Sequence, residues 1–156
     1  MKSRTNNAAP LPVLTISLGS QPYALDIEEV VEVASMVELA SVPDSPPEML
    51  GIANRHGAAL PVFDMRRLFG QPAAPVDAST LFIVVRYEGQ TAGLVVDEVH
   101  QVEYIQLGDV RPLPTAGKYI RDIVSHKGKL VQIIALPQLL SALMPEGIAD
   151  NEVFEG

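Results

Sequence analysis

The chain has 156 residues, 47% of them hydrophobic and 19% charged, enough apolar material for one compact domain or two small lobes sharing a core. It has no Cys, which excludes disulfides and thiolate metal sites, and no Trp, so a core must be built from Val, Ile, Leu and Ala. The formal charge of −8 divides into −4 for residues 1–78 and −4 for residues 79–156, with no Lys/Arg cluster, which argues against nucleic-acid binding and against anionic lipid surfaces.

Residues 1–10 read as a flexible N-terminal tail without the apolar run of a signal peptide. Pro12–Leu18 reads as a strand, followed by a turn at Gly19–Pro22 and a second strand at Tyr23–Ile27. Val30–Val33 and Met36–Ala40 continue the strand pattern. Gly51–Asn54 and Ala58–Phe63 flank a turn at Gly57. Asp64 has the chemistry to cap a short helix over Met65–Phe69, with Gly70 as its stop. The pattern resumes with Leu81–Tyr87 and Gln90–Val96 around the tight-turn dipeptide Glu88–Gly89. Val99–Leu107 follows, then a Pro-bearing loop, then strands at Tyr119–Ser125 and Lys129–Ile134. Leu136–Leu143 reads as a helix with Pro137 in its first turn and Pro145 as its terminator. Residues 144–156 read as a flexible acidic tail. No apolar run is long enough to span a bilayer, so a soluble, cytoplasmic protein without membrane insertion is expected.

The chain repeats itself. At a shift of 71 residues, Ile52, Gly57 and Leu68 fall on Ile123, Gly128 and Leu139, and the apolar positions Ala53, Leu60, Val62 and Phe63 fall on Val124, Val131, Ile133 and Ile134. At a shift of 69, Gln21, Leu25, Glu29, Val30 and Val33 meet identical residues at 90, 94, 98, 99 and 102. Two blocks in one order with nearly one offset indicate duplication. The expected organisation is a single domain over 11–143, with lobes built mainly from 11–70 and 80–143 and packed as small β-barrels.

A search for catalytic chemistry finds no working set. His56, His100 and His126 have no metal-ligand spacing. Asp97-Glu98-Val99-His100 has the residue types of an acid–base pair, but strand residues three apart face opposite ways. Ser17, Thr91 and Ser125 lack a nucleophile elbow, and Gly51-x5-Gly57 lacks the Lys-Ser/Thr of a phosphate loop. The acidic run Asp26, Glu28, Glu29, Glu32 lacks the spacing of a calcium loop. No enzyme, cofactor or metal is expected. Val30-Val31-Glu32-Val33 instead puts apolar side chains on both faces of one strand, so that one face is free either to dock a partner or to pack between lobes.

The ordered blocks Tyr23-Ala24-Leu25-Asp26-Ile27, Val30-Val31-Glu32-Val33, Pro47 through Met65, Val95-Val96-Asp97-Glu98-Val99, Arg111-Pro112-Leu113-Pro114 and Lys129–Leu140 resemble the CheW family of bacterial chemosensory coupling proteins, over about residues 12–143. The resemblance implies a mostly β fold of two five-stranded β-barrel lobes on a shared apolar core, with short helices. It implies a non-enzymatic adaptor whose partners are the regulatory domain of a CheA-type histidine kinase and the cytoplasmic tip of a chemoreceptor. Its protein-binding residues would be Val30, Glu32, Asn54, His56, Gly57, Val96 and Asp97. Three positions depart from the family pattern: His56 where Arg is usual, Asp122 where Gly is frequent, and Ala135 where Asp is frequent. These departures suit a divergent pathway controlling pili, biofilm or a second messenger. A degenerate module that caps the usual interfaces is the alternative within the class, and a small-molecule-binding β-barrel the alternative outside it.

Overall fold

The computed structural model describes residues 9–72, 74–106 and 117–144. Both expected tails, the Arg111–Pro114 motif and the end of the Val99–Leu107 strand lie wholly or largely outside that range. The strands are β1 (Leu11–Leu18), β2 (Gln21–Asp26), β3 (Val30–Ser35), β4 (Met49–Arg55), β5 (Ala58–Asp64), β6 (Leu81–Tyr87), β7 (Gln90–Val95), β8 (Glu98–Ile105), β9 (Ile120–His126) and β10 (Lys129–Ile134). Helix α1 covers Met65–Leu68 and α2 covers Leu136–Leu143.

Local chemistry explains most boundaries. The hairpins β4–β5, β6–β7 and β9–β10 each turn on two residues with positive φ: His56 (52°) and Gly57 (86°), Glu88 (49°) and Gly89 (83°), Lys127 (53°) and Gly128 (79°). Two left-handed residues in succession match the twist of the flanking strands. The Asp64 carboxylate accepts the Arg66 backbone N–H and caps α1 as expected. Ile27, expected in β2, instead opens a single 3-10 turn over Ile27–Glu29, because the Asp26 carboxylate captures the Glu28 N–H. Met36–Ala40 is not a strand either. Ala40 makes one two-way backbone bridge to Ile52 (2.8 and 2.9 Å), and the prolines at 43, 46 and 47 prevent a ladder beyond it.

The strands form two five-stranded sheets. Sheet A runs β8-β1-β2-β10-β9 and sheet B runs β3-β6-β7-β5-β4. The division into lobes from 11–70 and 80–143 is not followed. Each sheet takes the first hairpin of one half and the last three strands of the other. Exchanging the halves turns one sheet order into the other, and the registers obey the offsets seen in the sequence. Val62 opposite Gly93 becomes Ile133 opposite Ala24, and Val33 opposite Ile83 becomes Val102 opposite Leu14. The duplication is therefore also a reciprocal swap of hairpins.

The barrels are not closed by backbone. No ladder joins β8 to β9 or β3 to β4 among the described residues. The sheets curl until side chains span the gap: Glu32 meets Arg55 in sheet B, and Glu103 meets His126 in sheet A. Curling divides the core into three. Val13, Ala24, Ile105, Val124, Val131 and Ile133 fill the inside of sheet A, and Ala53, Leu60, Val62, Phe82, Val84 and Val95 fill sheet B. The third and largest cluster, including Leu14, Ile16, Leu25, Ile83 and Leu94, lies between the sheets and takes in Leu136, Leu139 and Leu140 of α2. Central strands are buried on both faces, which is why β6 reads as an unbroken apolar run.

Candidate protein-interaction surface

Strand β3 is the edge of sheet B, and a bulge between Val30 and Glu32 sets which way its side chains face. Val30 sits opposite Val85 and packs against the shared core. Glu32 sits opposite Val84, toward the interior of sheet B, where its carboxylate accepts from Arg55 Nε at 2.9 Å. The valines left in solvent are Val31 (36% exposed) and Val33 (40%). Val33 lies opposite Ile83, a member of the shared core. The apolar layer between the sheets thus runs out to solvent at this edge.

The hairpin tip at 54–57 completes the surface. Asn54 Oδ1 accepts the Gly57 N–H at 2.9 Å, which locks the turn and leaves His56 exposed at its apex. Arg55 reaches across to Glu32 and so ties the strand leading into the Asn54–Gly57 turn to β3.

Val96 and Asp97 belong elsewhere. Val96 is 2% exposed and part of the shared core, just past the end of β7, so it cannot touch a partner. Asp97 accepts from Arg66 Nη1 at 3.2 Å and from the Gly19 N–H at 2.5 Å, an internal tie between α1 and the β1–β2 turn. Arg66 also forks onto buried Asp64, Nε to Oδ1 at 2.8 Å and Nη2 to Oδ2 at 3.1 Å. Those hydrogen bonds hold its pKa above the ordinary arginine value, despite burial.

Sequence reasoning missed two features here. Arg55 was not seen as the partner of Glu32, because residues 23 apart meet only once the sheet curls. The opposite edge also went unnoticed: on β8, Val102 (50% exposed) and Tyr104 (65%) form the counterpart of the β3 strip. The signal was present, since Val102 is Val33 moved by 69 positions.

Two clefts of about 570 and 580 Å3 open at counterpart places in the two halves. One is lined by Glu29, Tyr87, Lys118, Arg121 and the start of α2, the other by Arg66, Asp77, Asp97, Glu98 and His100. Burial, and then the neighbouring Asp26 carboxylate, push Glu29 up to about 7. In the second cleft Ser17 Oγ is 2.7 Å from His100 Nε2, but Glu98 approaches that same nitrogen at 3.6 Å. The ring is not held between a nucleophile and an orienting carboxylate, so the set does not form a relay. Among the described residues no three His, Asp or Glu side chains converge as metal ligands, and no helix is long and apolar enough to cross a membrane.

The family model of the CheW-like domain matches residues 12–144. The chain belongs to the CheW-like domain family. It is 26% identical over 134 residues to the chemotaxis protein CheW of Klebsiella aerogenes, covering 83% of this chain and 81% of that one. It is 27% identical over 139 residues to the chemotaxis protein CheW of Helicobacter pylori, covering 86% and 84%. Among solved structures it is similar to the scaffolding protein TtCheW of Thermoanaerobacter tengcongensis, with a TM-score of 0.74 and 32% identity over 80% of this chain and 88% of that one. The mostly β CheW-like fold with short helices is the one expected from the family resemblance, its two five-stranded units being curled sheets rather than closed barrels.

Proposed function

We propose that this chain is a non-enzymatic adaptor that couples chemoreceptors to a CheA-type histidine kinase, acting in the cytoplasm. The observation that carries the reading is the pair of apolar edges, Val31 and Val33 on β3 and Val102 and Tyr104 on β8, at equivalent places on one two-sheet body of the CheW-like family. Two equivalent edges let one chain hold two protein partners in a fixed geometry. On the β3 edge, the Glu32–Arg55 ion pair sets a polar group next to Val31 and Val33 in the chain, as at the wet rim of an apolar patch. His56, with one titratable charge in place of a planar guanidinium, favours cognate partners distinct from those of Arg-bearing relatives, in a divergent pathway.

Binding to a CheA-type regulatory domain and to a receptor-tip peptide, measured by calorimetry, tests the reading. Val31→Asp with Val33→Asp is expected to weaken at least one partner roughly tenfold or more, while the thermal midpoint changes little because both side chains are exposed. Val30→Asp would not discriminate, since Val30 packs on the core. Binding of neither partner by the native chain would sink the coupling role. Binding of one alone would favour a module that caps an interface.

A further inference from the structure

The two sheets close their seams with different chemistry. In sheet B the pair is Glu32 on β3 with Arg55 on β4, whose guanidinium stays charged at any physiological pH. In sheet A the counterpart of Arg55 at the 71-residue offset is His126 on β9, which meets Glu103 on β8 at 2.7 Å. Both are partly buried, and Gln101 Nε2 supports the same carboxylate at 3.3 Å. We propose that His126 makes the seam of sheet A a pH-sensitive closure, firm while the imidazole is protonated and loosened once it is neutral, whereas Arg55 makes the seam of sheet B permanent.

The surroundings favour this assignment. From β8, Glu103 is the anion that faces His126, and its pKa is lowered to about 2, first by the hydrogen bond from His126 and then by the one from Gln101, so it keeps its charge throughout the neutral range. From the β9–β10 turn, Lys127 Nζ lies 3.2 Å from Glu103 with a mostly exposed side chain. From β10, Lys129 is the cross-strand neighbour of His126. Farther along β9, Arg121 and Asp122 pair with each other at 3.2 Å. Of the side-chain types in this cluster, imidazole is the one that exists in both charged and neutral forms across the physiological range. Its neutral form keeps a hydrogen bond only in the tautomer with a proton on Nε2, and a neutral bond is about half as strong as a charge-assisted one.

The sign follows from the protonated form being the one that binds Glu103. Closure is complete on the acidic side of the imidazole titration and declines as pH rises through it. Strand β8 also carries Val102 and Tyr104, so the seam sets how that apolar edge is presented. This last step rests on the docking role proposed above; the closure itself does not.

Amide hydrogen exchange on the full chain at pH 6 and pH 8, normalised for the intrinsic rate, tests the closure without any partner. Protection of β8 and β9 is expected to fall roughly fivefold more than that of β3 and β4 from pH 6 to pH 8, so that the comparison removes the shared effect of Glu29. His126→Arg should abolish the fall, and Arg55→His should transfer it to β3 and β4. Glu103→Gln, which removes the anion, should also abolish it and serves if the arginine variant does not fold. Equal protection of β8 and β9 at both pH values in the native chain would overturn the proposal. So would an excess fall of β8 and β9 that persists in His126→Arg or Glu103→Gln, because that would place its cause outside the His126–Glu103 pair.

Discussion

At the entry to α1 in sheet B, Asp64 caps the helix and grips Arg66, and Arg66 reaches on to Asp97. At the counterpart entry to α2, offset by 71, stand Ala135 and Pro137, and no side chain caps the helix. The two substitutions belong together. Pro137 has no backbone N–H, so the bond that Asp64 makes to Arg66 N–H has no donor to reach. A carboxylate at 135 would be buried with neither its cap nor its cation. Ala135 and Pro137 thus form an apolar unit where Asp64 and Arg66 form a polar one, which leaves α2 held by Leu136, Leu139 and Leu140 in the shared core.

The interiors show the same exchange in volume. Sheet A places Val13 near Ala24, whereas sheet B places Phe82 where Val13 would be and Gly93 where Ala24 would be. A Cβ built on Gly93 would lie 2.8 Å from Phe82 Cδ2 and 3.3 Å from Val62 Cγ2, so the ring occupies the methyl's place. The bulge after Met49 is another paired difference. Gly51 has a φ of +150°, and a Cβ there would sit 2.6 Å from the Ala40 carbonyl oxygen. Its counterpart Asp122 keeps an ordinary φ and tolerates a side chain that pairs with Arg121. Duplicated halves drift in coupled groups, because close packing penalises a change made alone.

The largest break in this comparison is expected from Arg66→Met. It leaves the buried Asp64 carboxylate without its cation, and urea unfolding should show a loss of about 3–5 kcal/mol. Next comes Gly93→Ala, expected to cost about 1–3 kcal/mol by overpacking against Phe82. Combined with Phe82→Val, which restores the arrangement of sheet A, the cost should be less than the sum of the two single changes. Additive costs in that double-mutant cycle would show that the volumes are not coupled. The smallest effect concerns Glu29. Its folded-state pKa of about 7 lies above the ordinary 4.5, so the folded chain binds the proton more tightly. Its contribution to stability is present below pH 4.5, declines as pH rises and is gone above about pH 7. Glu29→Gln should flatten part of the fall in urea midpoint between pH 5 and pH 8. Identical slopes for the two proteins would place the titration elsewhere. Because His126 acts with the same sign, the comparison with the native chain isolates Glu29.

Most of the elements were legible in the sequence because short apolar runs bounded by Gly turns have few alternatives. Leu81–Tyr87, Lys129–Ile134 and Leu136–Leu143 came out with their observed ends. Ile27 and Met36–Ala40 did not, since Asp26 captures a backbone N–H and the prolines at 43, 46 and 47 lack one, effects that hydropathy does not register. For the candidate surface the sequence supplied residue types but not their contacts. Glu32 is tied by Arg55 to the strand that leads into the Asn54–Gly57 turn, and a binding role for these residues is a proposal. Val96 was expected at a surface but lies in the core, because a motif in sequence order carries no information about which side chains the fold buries.

By itself the sequence determined the strands, the turns and the duplication, all of which depend on residues near one another or on comparing the chain with itself. What the tertiary structure alone decided is the pairing of halves: β1–β2 lies in a sheet with β8–β10, and β6–β7 lies with β3–β5. That exchange depends on which apolar faces fit together, and the repeats are too alike for hydropathy to distinguish their own hairpin from the other's. The seams follow from the same curling, which brings Arg55 to Glu32 and His126 to Glu103 across gaps that no local pattern encodes.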